Sequence, residues 1–156
     1  MDKVLLTNKD MLEMVHKEEH ELYEYEKYVP VTEGINGECT VAIYDIPPQK
    51  SNYPYHYHGQ DIEIFYIIEG CGVLEEPAGT RLVKKGDIII CPPNKQGAHK
   101  LTNTSQTDKL SYIEFDTIHK PEIVKYPHTN KVGVLHMDNR NTFYSENNTM
   151  DYYEGE

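Results

Sequence analysis

Cysteine is scarce in this chain: Cys39, Cys71 and Cys91 are the whole supply in 156 residues, and no Cys-x-x-Cys occurs. An odd count without paired spacing excludes a disulfide framework and fits the reduced thiols of a cytoplasmic protein. Each lies in or beside an apolar run, so each is expected to act as a small buried hydrophobe. Positive charge is short as well. Fifteen basic against 26 acidic residues leave a net charge of −11, which argues against nucleic-acid backbones and anionic membranes as partners. No apolar run is long enough to span a bilayer. The opening Met1-Asp2-Lys3-Val4-Leu5-Leu6-Thr7-Asn8 lacks the long apolar core of a secretory signal. The expectation is a cytoplasmic protein whose partner is a small molecule.

What the chain does carry is histidine in a pattern. His56-Tyr57-His58 is followed by Glu63 and then Gly70. Side chains two apart on a strand share a face, so His56 and His58 point one way and Tyr55 and Tyr57 the other. After a turn at Gly59-Gln60-Asp61, the run Ile62 to Ile68 places Glu63, Phe65 and Ile67 on one face and Tyr66 on the opposite one. Taken alone, the histidine pair reads more readily as part of a polar surface strand, with Glu63 a solvated charge. A second stretch changes the weighing: Gly86, Pro92, His99 and Asn103, with His99 and Leu101 on one face of an extended segment. Three imidazoles and a carboxylate on strands suit a divalent transition metal.

The rest of the chain reads as all-β. Strands are expected over Cys39 to Ile46, Tyr53 to His58, Ile62 to Ile68, Val73 to Glu75, Thr80 to Val83, Ile88 to Cys91, Ala98 to Asn103 and Leu110 to Asp116. A series of that length suits a double-sheet jelly roll. The His-x-His motif has no second copy, which points to one barrel. Residues 1–35 read as an N-terminal extension, in which Asp10 would cap a short helix from Met11 to about Tyr23. Inside it, His16-Lys17-Glu18-Glu19-His20 has a metalloprotease-like spacing, but the segment is highly charged and reads as a solvated face. Residues 36–120 form the core, and residues 121–156 a C-terminal extension packing on it, with further strands at Ile123 to Tyr126 and Val132 to His136.

These residues resemble the two motifs of the cupin superfamily. The first stretch has the germin-like spacing from His-x-His to Glu and on to Gly. The second matches at Gly86 and Pro92 and in the step from His99 to Asn103. Two departures stand out: Gln49 and Lys50 occupy the region where a glycine often opens the first motif, and the loop before His99 is longer than usual. Tyr44-Asp45-Ile46-Pro47-Pro48, Gly97-Ala98-His99 and Lys131-Val132-Gly133-Val134 are similar to one group of small single-domain bacterial cupins.

The resemblance implies a double-stranded β-helix with metal ligands His56, His58, Glu63 and His99, Asn103 as a supporting residue, and a homodimer. The metal would be Fe, Mn, Ni, Cu or Zn. No catalytic residue is singled out. The expected function is a metal-dependent enzyme on a small polar metabolite, of dioxygenase, decarboxylase or isomerase type. The alternative is a non-enzymatic module that binds or senses a small molecule through the same metal.

Overall fold

The computed structural model describes residues 3–32, 34–136 and 140–156. Its strands are β1 (Met14–His20), β2 (Tyr23–Tyr28), β3 (Cys39–Ile46), β4 (Tyr57–His58), β5 (Glu63–Glu69), β6 (Cys71–Glu76), β7 (Gly79–Lys84), β8 (Ile88–Cys91), β9 (Lys100–Asn103), β10 (Leu110–Thr117), β11 (Glu122–Tyr126), β12 (Lys131–Leu135) and β13 (Thr142–Ser145). One antiparallel sheet runs β1-β2-β3-β10-β5-β8. Facing it are two smaller ladders, β7-β6-β9 and β13-β12-β11-β4. Single bridges, Ser51 with Thr102 and His56 with His99, tie their neighbourhoods together. The expected all-β jelly roll is present.

Alternation on these strands decides what fills the barrel. Ala42, Tyr44 and Ile46 of β3, Phe65 and Ile67 of β5, and Leu110 and Tyr112 of β10 turn inward and meet Leu74, Val83, Ile89 and Leu101. The Tyr44 and Tyr112 rings stack with centroids 5.0 Å apart. Their hydroxyls are satisfied: Asn52 Nδ2 donates to Tyr112 Oη (2.8 Å), and Tyr44, Tyr53 and Tyr25 form a hydroxyl chain. Tyr66 points outward and is exposed, as its parity requires.

The N-terminal helix is not formed. A single 3-10 turn covers Lys9–Met11, and from Met14 the chain is a strand paired with β2. A helix here would have had only a thin apolar stripe to bury, and short helices without packing are marginal. As a hairpin, the segment instead delivers Tyr25 of β2 against Tyr44 and Tyr53, and tertiary packing overrides local preference. On this strand His16 and His20 are exposed, and His16 Nε2 lies 3.3 Å from Glu24 Oε1. The cysteine expectation holds only for Cys91, which is buried; Cys39 is half-buried and Cys71 exposed. Among the described residues, no helix is long and apolar enough to cross a membrane.

Two glycines matter for the site. Gly70 ends β5 at φ +84°, and a Cβ there would lie 2.4 Å from the Lys109 carbonyl oxygen. At Gly97 a Cβ would sit 1.7 Å from the Pro92 carbonyl oxygen, so only glycine lets the loop fold tightly enough to present His99. Asn103 closes the same region from the other end. Fully buried, it donates through Nδ2 to the Ile46 and Asp108 carbonyls and accepts from Ser105 N–H through Oδ1. Replacing Asn103 with Ala removes these bonds and leaves buried backbone groups unpaired. A stability loss of about 2–4 kcal/mol is expected in urea unfolding, and a loss below about 1 kcal/mol would show that the turn is held by other contacts.

Candidate metal centre

The two histidine stretches meet through their backbones. His56 N–H donates to the His99 carbonyl (3.1 Å) and His99 N–H donates to the His56 carbonyl (2.8 Å). The expected strand over Tyr53 to His58 is shorter than its sequence suggests, with only Tyr57–His58 laddered onto β11. Pro54 has no N–H to give a ladder. Likewise the segment from Ala98 becomes a strand only at Lys100, after a 3-10 turn over Lys95–Gly97. The antiparallel bridge brings the His56 and His99 rings to 4.7 Å, and the two-residue step along the chain puts the His58 ring 5.4 Å from His56. Glu63, at the start of β5 in the opposite sheet, completes the group.

Donor atoms converge at metal-like spacing. His99 Nε2 is 3.3 Å from Glu63 Oε2, His56 Nε2 is 3.9 Å from the same oxygen, and His58 Nε2 is 3.6 Å from Glu63 Oε1. The protonation of two rings follows from their partners. His56 Nδ1 bonds the Pro54 carbonyl (2.8 Å) and His99 Nδ1 the Gly97 carbonyl (2.9 Å). A carbonyl can only accept, so each Nδ1 carries the proton and each Nε2 presents a lone pair to the centre. This is the arrangement metal-ligating histidines use. The donor set, nitrogen plus one carboxylate, fits a divalent transition metal.

Electrostatics point the same way. Burial, then mutual repulsion with His99 and His58, lowers the His56 pKa well below its ordinary value. Burial, with His99 next, pulls His58 down to about 4, and burial pulls His99 to about 4. Glu63 moves the opposite way: burial, then Asp116, Asp61 and Glu122, raise its carboxyl well above the usual range. Glu114 and Asp116 of β10 are raised too, by burial and by the carboxylates beside them, while Lys27 opposes the shift in all three acids. Neutral imidazoles and crowded carboxyls are the groups that a cation would pair with.

The structure brings His56, Glu63 and His99 together, with one donor atom each all within 4.8 Å of one another, and sets His58 beside them, its Nε2 3.6 Å from Glu63 Oε1, where it also forms a second cluster with Asp61 and Glu122. It also adds groups not singled out from the sequence. Glu114 and Asp116 follow Leu110 and Tyr112 on the inward face of β10, so their parity was readable. Asp61, expected as a turn residue, is buried; its Oδ1 accepts from both the backbone N–H and the ring Nδ1 of His119, at 2.8 and 2.7 Å. Glu122, fully buried on β11, gave no local signal. A cavity of about 410 Å³ adjoins the centre, lined by Thr40, His58, Asp61, Asp116, His119 and Leu135 among others.

Comparison with known proteins bears on the fold. The family model for the Cupin domain matches residues 42–115. No curated protein matches the sequence. Among solved structures, a candidate sugar phosphate isomerase from Acidithiobacillus ferrooxidans superposes with a TM-score of 0.79 at 18% identity, covering 96% of this chain and 97% of that one. A sugar phosphate isomerase from Silicibacter pomeroyi gives 0.79 at 15% identity, covering 96% and 98%. A predicted oxalate decarboxylase from Thermotoga maritima gives 0.62 at 17% identity, covering 74% and 100%. The first two match over nearly the whole chain, so the N-terminal hairpin and C-terminal strands belong to a shared architecture.

The depressed histidines set an acid limit on the metal-free protein. Between pH 6.5 and 4 the unfolded chain binds protons that folded His58 and His99 refuse. Stability therefore falls as pH drops through that window, by up to about 1.4 kcal/mol per pH unit for each group. His58→Gln should shallow the decline in thermal midpoint over that range; an unchanged slope would remove His58 from the acid response.

Proposed function

Residues 42–115 match the Cupin domain, and from that premise we propose that the protein is a metal-dependent enzyme acting on a small polar metabolite. The observation that carries this reading is the convergence of His56, His58, His99 and Glu63 beside a cavity whose walls hold protonatable groups. A bound divalent ion would supply Lewis-acid polarisation of a substrate oxygen. The chain's own residues supply the rest. The two carbonyl-anchored imidazoles keep their lone pairs aimed inward without rotating. Glu63 contributes the one negative charge of the ligand set. Asp116, and His119 backed by Asp61, face the cavity and can hold or deliver a proton. A wall of proton carriers favours proton-transfer chemistry, isomerase or decarboxylase in type, over dioxygenation. The names of the structural neighbours lie in the same range.

Elemental analysis tests the reading. Protein prepared without tag or chelator should carry near-stoichiometric Fe, Mn, Ni, Cu or Zn, and a His56→Ala, His99→Ala double variant should lose it. Absence of metal in the wild type after reconstitution would leave the motifs as scaffold and end the enzyme reading. Metal without turnover across small acids, sugars and sugar phosphates would shift the assignment to a metal-dependent binding or sensing module.

We also propose that the protein works as a homodimer. The outer face of the large sheet carries apolar cross-strand rows, Phe115–Ile64–Ile90 and Ile113–Tyr66–Ile88. Ile88 and Ile90 are about two-thirds exposed, on the edge strand β8. Such a face is costly in water and suits a second copy. Sedimentation at micromolar concentration should show a dimer, converted to monomer by Ile88→Lys with Ile90→Lys; a wild-type monomer would overturn the proposal.

A further inference from the structure

Beyond the ligands, the buried polar atoms of this region leave one problem unsolved. Among the described residues three buried side-chain atoms have no hydrogen-bond partner, Asp116 Oδ1, His58 Nδ1 and Glu122 Oε2, and the last two are complementary. One is a donor when the ring's Nε2 serves a metal, and the other an acceptor. They belong to adjacent side chains, with His58 Nδ1 3.7 Å from Glu122 Oε1. A second carboxylate is as near, Asp61 Oδ2 at 3.8 Å. Both distances exceed a hydrogen bond, and both carboxylates reach toward the same ring nitrogen.

The two acids are not equivalent. Asp61 accepts two bonds from His119, both through Oδ1, and of the two acids only Glu122 keeps a buried oxygen, Oε2, without a partner. Glu122 accepts one bond, from Gln60 N–H at 3.0 Å, through Oε1 alone. Its position is fixed by the ladder, since Val124 of β11 pairs with His58 of β4 and Gly59 N–H bonds the Ile123 carbonyl. The other two histidines have backbone carbonyls on Nδ1, whereas His58 has none. A metal on Nε2 requires the proton on Nδ1, and a buried N–H needs an acceptor.

We propose that Glu122 is the positioning residue for His58: it takes the Nδ1 proton's hydrogen bond and so fixes the tautomer and ring angle that offer Nε2 to the metal. The inference rests on the metal-binding reading above and adds a residue 64 positions away in sequence from the ligand it orients. It gives His58 a carboxylate partner where His56 and His99 have backbone carbonyls.

The test is a titration of the metal-free full chain with Co²⁺, read by the visible spectrum of the bound ion. Glu122→Gln keeps an oxygen for Gln60 N–H and keeps the side-chain shape, but loses the charge. It should bind Co²⁺ on the order of 10–100-fold more weakly, with an altered spectrum and a thermal midpoint for the metal-free protein close to that of the wild type. Asp61→Asn should have the smaller effect on affinity. Equal affinity and spectrum for Glu122→Gln and wild type would overturn the assignment while leaving the metal centre intact. A wild type that takes two Co²⁺, falling to one in Glu122→Gln, would overturn it in favour of a second ion held between His58, Asp61 and Glu122. No Co²⁺ uptake by the wild type would overturn both this inference and the metal-binding reading.

Discussion

The pair of hydrogen bonds between His56 and His99 is the constraint on which the site depends. It joins two segments 43 residues apart, sets their antiparallel register, and puts both imidazoles on the barrel side at once. Neighbouring features serve it. Gly97 lets the chain press against Pro92 just before His99, and Pro54 turns its carbonyl toward the His56 ring. Asn103 locks the far end of β9 to the β3 end and to the following turn. Because side-chain direction in a strand has period two, slipping this bridge by one residue would carry His56 or His99 out of the centre.

Around that bridge the barrel interior is divided. Away from the centre it is a conventional apolar core of stacked tyrosines and branched aliphatics. Around His56, His58 and His99 it is crowded with Glu63, Glu114, Asp116, Asp61 and Glu122. Burying so many acids is unfavourable unless they are protonated, hydrogen-bonded or close to a cation. A lysine, Lys27, offsets part of the burden for Glu63, Glu114 and Asp116. A stability optimum would have avoided this arrangement; a binding or catalytic requirement accounts for it, since functional sites are where local rules are broken.

Much of the centre was legible in the chain because its rule is local. Parity along Tyr53 to His58 and Ile62 to Ile68 was enough to place His56, His58 and Glu63 inward and Tyr66 outward. The same rule applied to β10 would have found Glu114 and Asp116. It failed where partners are remote. Nothing near Glu122 says that β11 will lie beside β4, and nothing near Asp61 says that His119 will cover it. The N-terminal segment misled for a related reason: its charged residues fit a helix face in isolation, and only the neighbouring β3 makes a hairpin the better use of Tyr25.

The sequence by itself determined the fold class, most of the core strands and four residues of metal-ligand donor type, because each follows from period-two alternation, turn residues and donor type. Tertiary structure alone decided which acids surround those ligands, where the cavity opens, which nitrogen of each histidine faces inward, and which sheet face is left apolar. Those outcomes rest on strand order and register, and strands are paired across long stretches of chain by hydrogen bonds that carry no mark in the local sequence.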